Sequence, residues 1–472
     1  MTAILKKFFI RLFSTQYMVK ESLKRGEITP NDEAYRVSFK IALPAVADMV
    51  SVNLIGILSM LMVGRLGPHA VAAVGLTQQP RMIFMAIFFA LNIGVTAIVS
   101  RRKGENNQDS ARLCLRQTIM IGVILSSILS VVAFFSSEFM MRFAGANEDT
   151  LLASTQYFRI LAAGLMFQAL SIMICAAQRG VGNTKVTMYV NLAAIAVTVM
   201  FNFLLIEGRL GFPRLEMQGA AIAVLIGHAV GFLMAVHSIV KKSSYLRVSI
   251  KDKWLPDREM LRSLSRITSG SMVEQVAIRV GFFAYAIIIA GLGTEALAAH
   301  HIAMQLLTIS FAFADGVGAA TTALVGQNLG KGRPDLAIMY GNIGQRFAMV
   351  ISIALMILSL LGHTFFPSLF TDDQSVIAAT STIVIILAFL QPLQMSQLVM
   401  AGSLRGAGDV KYVAFTMLLT IALIRPLVSA LLIYVFGFGL VGAWLAIAVD
   451  QVARLVMLYT RFSRGKWIHL RV

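Results

Sequence analysis

The sequence contains few charged residues, few cysteines and none of the common catalytic motifs. Only 14% of its 472 residues are Asp, Glu, Lys or Arg, whereas a soluble chain of this size carries about 25%. The two cysteines, Cys114 and Cys175, both fall inside predicted helices, so we expect no disulfide framework. The patterns GxxxxGKS, GxxxxGKT, HExxH and CxxC do not occur. These absences argue against a soluble protein, an ATP-driven pump and an enzyme, and we expect neither a metal site nor an organic cofactor.

Hydrophobic residues dominate instead. They make up 57% of the sequence, and the mean hydropathy is +0.77. They fall in uninterrupted blocks of roughly 20 residues or more, long enough to cross about 30 Å of hydrocarbon. Because a backbone inside lipid must satisfy its own hydrogen bonds, blocks of this length predict helices and not strands. We predict twelve membrane spans, at about 38–64, 70–100, 113–136, 150–178, 185–207, 218–240, 266–291, 296–328, 337–365, 376–404, 411–435 and 441–462.

Basic residues outnumber acidic ones by 41 to 23, which gives a net charge of +18. They concentrate in the N-terminal arm, the loop after the second span, the linker after the sixth span and the C-terminal tail. Lipid headgroups and the positive-inside rule select this distribution, so we expect membrane lipids and not nucleic acid as the partner. Both termini are predicted to be cytoplasmic. Residues 3–17 fit either an amphipathic helix on the membrane surface or a partly ordered arm.

The two halves of the chain repeat at an offset of 226 residues. The segment RGVGNTK that begins at Arg179 falls on RGAGDVK, which begins at Arg405, without a gap. Because each half holds an even number of spans, we expect the copies to be related by a two-fold axis along the membrane normal. We therefore predict a basic cytoplasmic arm at about 1–37, a six-helix N-lobe at 38–240, a cytoplasmic linker at 241–264, a six-helix C-lobe at 265–463 and a tail at 464–472.

Four carboxylates fall well inside predicted spans, where a charge is costly unless it faces a partner or a cavity. Asp48 in the first span and Glu274 in the seventh are equivalent in the repeat, and Asp315 lies in the eighth. A desolvated carboxylate can exchange a proton or bind Na⁺, so these three are candidate cation-coupling residues. The alternative is a structural hydrogen bond or ion pair. Gln168 and Gln394, which are also repeat equivalents, are candidate groups of a substrate cavity.

Other polar residues in the spans have simpler explanations. Asp450 and Arg454 are four residues apart, a spacing that predicts a structural ion pair on one helix. Arg425-Pro426 most simply marks a kink in the eleventh span.

Several segments resemble the multidrug and toxic compound extrusion (MATE) family, and together they cover nearly the whole chain after residue 37. The resemblance implies twelve helices in a V-shaped pair of lobes that exports organic cations in exchange for H⁺ or Na⁺. The segments are VGRLGPHAVAAVG at 63–75, RGVGNTK at 179–185, LGTEALAAHHIAMQ at 292–305, ALVGQNLGKGR at 323–333 and AGSLRGAGD at 401–409.

The chain departs from the family pattern at two acidic positions. Members commonly have an acid in the first helix where this chain has Ser59, and Asp48 lies eleven residues earlier. The acid of the sodium-coupled branch in the tenth helix is replaced by Gln394. Glu274 is similar to the glutamate of the seventh helix in other branches, and Asp315 to an aspartate of the eighth. The resemblance therefore favours H⁺ over Na⁺ as the coupling ion.

We predict a multi-pass antiporter of the cytoplasmic membrane that exports amphipathic, cationic compounds and functions as a monomer. One alternative is a flippase for lipid-linked oligosaccharides from the same superfamily. Arg81, Arg159 and Arg279 support it, because a pyrophosphate substrate needs a cationic cavity, and Arg279 is a candidate cavity residue for either function. A second alternative is a membrane enzyme or scaffold that moves no solute.

Overall fold

The structure is a computed structural model that describes residues 12–249 and 251–470. Most of the amphipathic helix predicted for residues 3–17 therefore lies outside the described residues. The described chain is almost entirely helical and contains no strand. Its twelve main helices are α1 Asn31–Gly64, α2 Pro68–Gly104, α3 Gln108–Phe135, α4 Glu148–Ala163 with Leu165–Gly180, α5 Thr184–Leu205, α6 Glu216–Val240, α7 Arg258–Ala290, α8 Thr294–Gly330, α9 Pro334–Leu361, α10 Gln374–Gly406, α11 Val410–Val435 and α12 Gly439–Ser463.

Eleven of the described helices, and α4 if its two segments count as one span, are long and apolar enough to cross a bilayer. This confirms the predicted α-helical membrane fold with twelve spans. The helix α4, however, is not the single straight helix that the sequence predicts, because its segments meet at 47° around Gly164. A Cβ atom at Gly164 would lie 2.6 Å from Cδ1 of Leu225 in α6. Glycine both weakens the helix and allows this close approach.

The helix α11 also departs from regular geometry. Its turns Leu418–Ile424 and Leu431–Val435 are π-helical, and they flank the segment Arg425–Ala430. Pro426 cannot donate a backbone hydrogen bond to the preceding turn, and wide turns are a common response to such an interruption. The structure thus has two π-helical turns around a short α-helical segment at Arg425-Pro426, and the kink expected there stays a prediction.

The chain divides into two compact units. The first contains the described part of residues 1–46, residues 104–106 and residues 269–472, and the second contains residues 47–103 and 107–268. The division falls within α1, just before Asp48, and within α7, at Ser269. The lobes 38–240 and 265–463 remain a prediction.

In the first unit, α8 and α10 approach each other closely. Gly402 and Gly406 of α10 lie four residues apart on one face. A Cβ atom at Gly402 would lie 2.7 Å from the carbonyl oxygen of Gly318, and one at Gly406 would lie 2.3 Å from that of Thr322. Only glycine fits here, in the manner of the small-residue contacts that hold membrane helices together.

The same hydrogen bond occurs in both units at the predicted repeat offset. In the first unit, the hydroxyl of Thr322 in α8 donates to the carbonyl oxygen of Gly402 in α10, at 2.8 Å. In the second unit, the hydroxyl of Thr96 in α2 donates to the carbonyl oxygen of Ala176 in α4, at 3.1 Å. Donor and acceptor are each 226 residues apart between the copies, so the repeat read from the sequence is also a repeat of tertiary contacts.

The described part of the N-terminal arm packs on the first unit. Met18 and Val19 are buried in a cluster with side chains of α9. The side-chain amide of Asn342 donates to the carbonyl oxygen of Met18 at 3.1 Å. The backbone N–H of Arg25 donates to Oδ2 of Asp335 at 3.0 Å. This part of the arm is therefore a folded element.

Candidate functional site

Glu274 lies in α7 with a fully buried side chain, and it is paired with Arg405 in the last turn of α10. Nε of Arg405 lies 3.4 Å from one carboxylate oxygen of Glu274, and Nη2 contacts the other. A buried carboxylate needs such a partner to stay ionised. Arg405 belongs to the segment AGSLRGAGD, but spacing alone does not connect it to an acid 131 residues earlier.

Asp315 lies near the middle of α8 and belongs to the same cluster. The charges of both Arg405 and Glu274 act on its carboxylate. Its side chain is exposed, and it makes no hydrogen bond or ion pair with any residue in the described ranges. The structure thus brings together two of the three predicted coupling acids, one in a buried ion pair and one accessible and unpaired.

Asp48 occupies a separate site in the second unit. It is buried, and its Oδ1 accepts a hydrogen bond of 2.7 Å from the side-chain amide of Asn191 in α5. Its Oδ2 has no hydrogen-bond partner among residues 12–249 and 251–470. The charge of Arg179 acts on Asp48, although the guanidinium itself donates to Oδ1 of Asn92 at 3.1 Å. Glu274 and Asp48, the repeat-equivalent acids, therefore differ: one has an ion pair and the other an amide partner.

The repeat-equivalent glutamines also lie in different surroundings. Oε1 of Gln168 accepts a hydrogen bond of 3.2 Å from Arg81, whose Nη2 also lies 3.3 Å from Nε2 of His228. Because a guanidinium only donates, Nε2 of His228 must accept, which places the ring proton on Nδ1. Gln394 is fully buried, and neither of its amide atoms has a hydrogen-bond partner in the described chain.

A pocket in the second unit places Arg81 beside Gln168, at the bend of α4. Phe84, Phe158 and Leu165 supply apolar parts of its wall. Arg279, the remaining predicted cavity residue, is half-buried in α7, five residues after Glu274.

The first unit contains a second buried charge cluster, of which the sequence predicted only part. Asp450 and Arg454 form the ion pair that their spacing predicts, and Nε of Arg425 donates to Oδ2 of Asp450 at 2.7 Å. Arg425, which the sequence suggested only as a kink marker, is therefore a partner of Asp450. The cluster carries two guanidiniums for one carboxylate. Since the charge of Glu274 also acts on Arg454, this positive excess lies within the field of the acidic cluster.

The sequence model of the MatE family matches the chain twice, over residues 44–204 and 271–431. The chain is 26% identical to the uncharacterized transporter YisQ of Bacillus subtilis over 440 residues, covering 93% of this chain and 96% of that protein. It is 25% identical to the probable multidrug resistance protein NorM of Thermotoga maritima, covering 95% and 96%.

Solved structures of MATE transporters have the same fold. A crystal structure of MATE in the straight conformation superposes with a TM-score of 0.85 at 20% identity, over 92% of this chain and 97% of that one. A MOP superfamily transporter from Pyrococcus furiosus, whose binding pocket is described as having reversed polarity, superposes with a TM-score of 0.86 at 20% identity, over 93% and 97%. Because the family model matches each half of the sequence, this multi-pass chain belongs to the MatE family of membrane transporters and is not an enzyme.

Proposed function

We propose that the protein is a secondary antiporter that exports amphipathic, cationic compounds in exchange for H⁺ or Na⁺, with H⁺ favoured. The relatives named as multidrug resistance proteins support drug efflux. One observation carries the choice of ion site: Asp315 is an accessible carboxylate in the middle of a span, and no described residue pairs with it.

The deep carboxylates divide into three paired groups and one unpaired group. Asp48 has an amide partner, while Glu274 and Asp450 have guanidinium partners. A guanidinium partner compensates the charge of a carboxylate, whereas a carboxylate in a span without a cationic partner gains most by binding a proton or a cation. Asp315 is therefore the primary coupling residue, and the ion pair of Glu274 with Arg405 sets the field in which it titrates.

Exchange follows from competition for one negative charge. When Asp315 is ionised, a cationic substrate nearby is stabilised; when Asp315 is protonated, that attraction is lost and the substrate is released. Asp48 is proposed as a second cation-binding acid, with Gln168, Gln394 and Arg279 as neutral or charged groups of the substrate path.

The same proposal covers the arrangement in the membrane. Both termini lie in the cytoplasm, because the basic arm, linker and tail obey the positive-inside rule together. The lobes 38–240 and 265–463 alternate access to one path, and a monomer suffices for transport. A lipid-linked oligosaccharide flippase is the second candidate, because Arg81 in α2 and Arg279 in α7 place guanidinium groups inside spans.

The test is ethidium efflux from energised cells that lack their own drug pumps. We compare vector, wild type, Asp315→Asn and Glu274→Gln at equal expression. Glu148→Gln is the matched control, because it removes one exposed carboxylate at the start of α4. Asp315→Asn is the sharper variant, since its side chain makes no hydrogen bond or ion pair within the described part of the chain whose loss would unfold the protein.

We expect wild type and Glu148→Gln to lower ethidium accumulation, and both acid variants to abolish this effect. Purified protein in vesicles with an imposed pH or Na⁺ gradient then identifies the ion that drives uptake. Full activity of Asp315→Asn would refute the ion site. A wild type that behaves like vector would refute cationic drug export, and transport of a pyrophosphate-linked lipid by the same protein would favour the flippase.

A further inference from the structure

A basic pocket lies in the second unit between the start of α3 and the linker that follows α6. The linker carries seven basic and three acidic residues over positions 241–264. The pocket brings three guanidinium groups to one place together with two carboxylates. Its walls are formed by Asp109, Arg112, Arg116, Arg247, Ser249 and Asp252.

Backbone carbonyl oxygens of the linker accept hydrogen bonds from side chains of α3, which hold the linker against this helix. The side-chain amide of Gln108 donates to the carbonyl oxygen of Tyr245 at 2.9 Å, and that of Gln117 donates to the carbonyl oxygen of Leu255 at 2.7 Å. The side chain of Leu246, a residue of the linker, is fully buried. Hydrogen bonds at two separate points and a buried apolar anchor give the pocket a defined wall.

The three arginines retain donor groups that the protein does not use. Arg112 donates through Nε to the carbonyl oxygen of Tyr245 at 3.3 Å, and Arg116 donates through Nη1 to that of Lys253 at 3.1 Å. Nε of Arg116 is buried and has no hydrogen-bond partner in the described chain. The side chain of Arg247 is exposed and makes no hydrogen bond or ion pair with a residue of the described ranges.

Two carboxylates in the pocket oppose the three guanidinium groups. The side chain of Asp109 is 97% exposed and lies 3.9 Å from Arg112, which is beyond hydrogen-bond distance. Asp252 accepts a hydrogen bond of 2.8 Å from the backbone N–H of Ser249. Three guanidinium groups against two carboxylates nevertheless leave the pocket with a formal net charge of +1.

The pocket continues onto a surface that faces acyl chains. Arg116 and Val123 are seven residues apart on α3, which is two helical turns, so their side chains lie on the same face. Val123, Ile124 and Val131 are exposed along this part of α3. In a membrane span, exposed apolar side chains contact lipid, so the guanidinium groups stand where a headgroup joins its chains.

We propose that this pocket binds the phosphate of an anionic phospholipid of the cytoplasmic leaflet, whose acyl chain lies along the exposed face of α3. Guanidinium groups match phosphate oxygens with paired, charge-assisted hydrogen bonds. Basic pockets beside membrane helices on the cytoplasmic side are suited to anionic headgroups. The lipid would join the linker to α3, and this site is independent of the transport path.

The experiment measures lipid retained by the purified full-length protein in native mass spectrometry. Phosphatidylglycerol is compared with phosphatidylcholine of the same acyl chains, with and without an excess of inorganic phosphate. The variant is Arg247→Gln, because this side chain makes no hydrogen bond or ion pair with residues 12–249 and 251–470 that the substitution would break. Lys242→Gln is the matched control, since it removes one exposed charge from the same linker outside the pocket.

We expect wild type and Lys242→Gln to retain phosphatidylglycerol in preference to phosphatidylcholine. Arg247→Gln should lower that retention about five-fold, as one basic contact near a lipid surface contributes about 1 kcal/mol. Equal retention of the two lipids, or equal losses in the two variants, would overturn the proposal. Complete displacement of the lipid by inorganic phosphate would show a site for free phosphate and would also overturn it.

Discussion

The buried cluster of Arg425, Asp450 and Arg454 predicts an unequal response to the loss of its members. Asp450 is fully buried and contacts both guanidinium groups, which are themselves almost fully buried. The substitution Asp450→Asn removes the only carboxylate of the cluster and leaves two positive charges against each other. The substitution Arg454→Met instead leaves one guanidinium and one carboxylate, which is a balanced pair.

The magnitudes follow from these charge balances. Removing one partner of a buried ion pair costs about 3–5 kcal/mol, because the remaining charge is uncompensated. We expect Asp450→Asn to reach at least that range. Arg454→Met loses its contact with Asp450 and the hydrogen bond of 3.2 Å to the hydroxyl of Thr420. Because Asp450 keeps Arg425 as its partner, the cost should be about 1–3 kcal/mol.

The assay is thermal unfolding of the purified protein in detergent, followed by size-exclusion chromatography of the heated samples. Asp149→Asn serves as a control, since it removes an exposed carboxylate. The predicted order of Tm is wild type and Asp149→Asn together, then Arg454→Met, then Asp450→Asn. If Asp450→Asn unfolds at the same temperature as Arg454→Met or above it, the reasoning from charge balance is wrong.

Two further predictions concern close contacts inside each unit. A Cβ atom at Gly281 of α7 would lie 2.3 Å from the carbonyl oxygen of Ile421, so Gly281→Ala should destabilise the protein by about 1–3 kcal/mol, measured as a lower Tm; an unchanged Tm would show that α7 and α11 can separate freely. Asn191→Leu should cost about 1–3 kcal/mol, because buried Asp48 loses its hydrogen-bond donor. Asn191→Ser, which keeps a donor, should recover part of that loss of Tm, and no recovery would argue against the hydrogen bond as the cause.

The positions of the spans could be predicted because lipid imposes a length and an apolar composition on every helix that crosses it. The predicted ends are less accurate. The first span was expected to begin near residue 38, whereas α1 begins at Asn31. Its first turns carry Asp32 and Glu33, which favour a helix N-terminus but do not look like a membrane segment.

The repeat was the most informative feature of the sequence. It paired the residues of the two halves at an offset of 226, and the hydrogen bonds of Thr96 and Thr322 recur at that offset. The repeat could not predict where the two copies differ in chemistry. The counterpart of Arg81 is Leu307, so Gln168 accepts a hydrogen bond from a guanidinium, whereas no described residue makes a hydrogen bond with the side-chain amide of Gln394.

The sequence by itself determined the helical membrane fold, the number of spans and which carboxylates lie inside a span, where a charge is unfavourable. These properties follow from the amino-acid composition, the length of the apolar blocks and the internal repeat, all of which can be read along the chain without knowing how the helices pack. The tertiary structure alone decided which acid has a partner: Arg405 reaches Glu274 across 131 residues, while Asp315 in the same cluster is left unpaired. The physical reason is that the partner of a charged side chain depends on the rotation and packing of separate helices. The spacing of residues within one helix does not determine that rotation or packing.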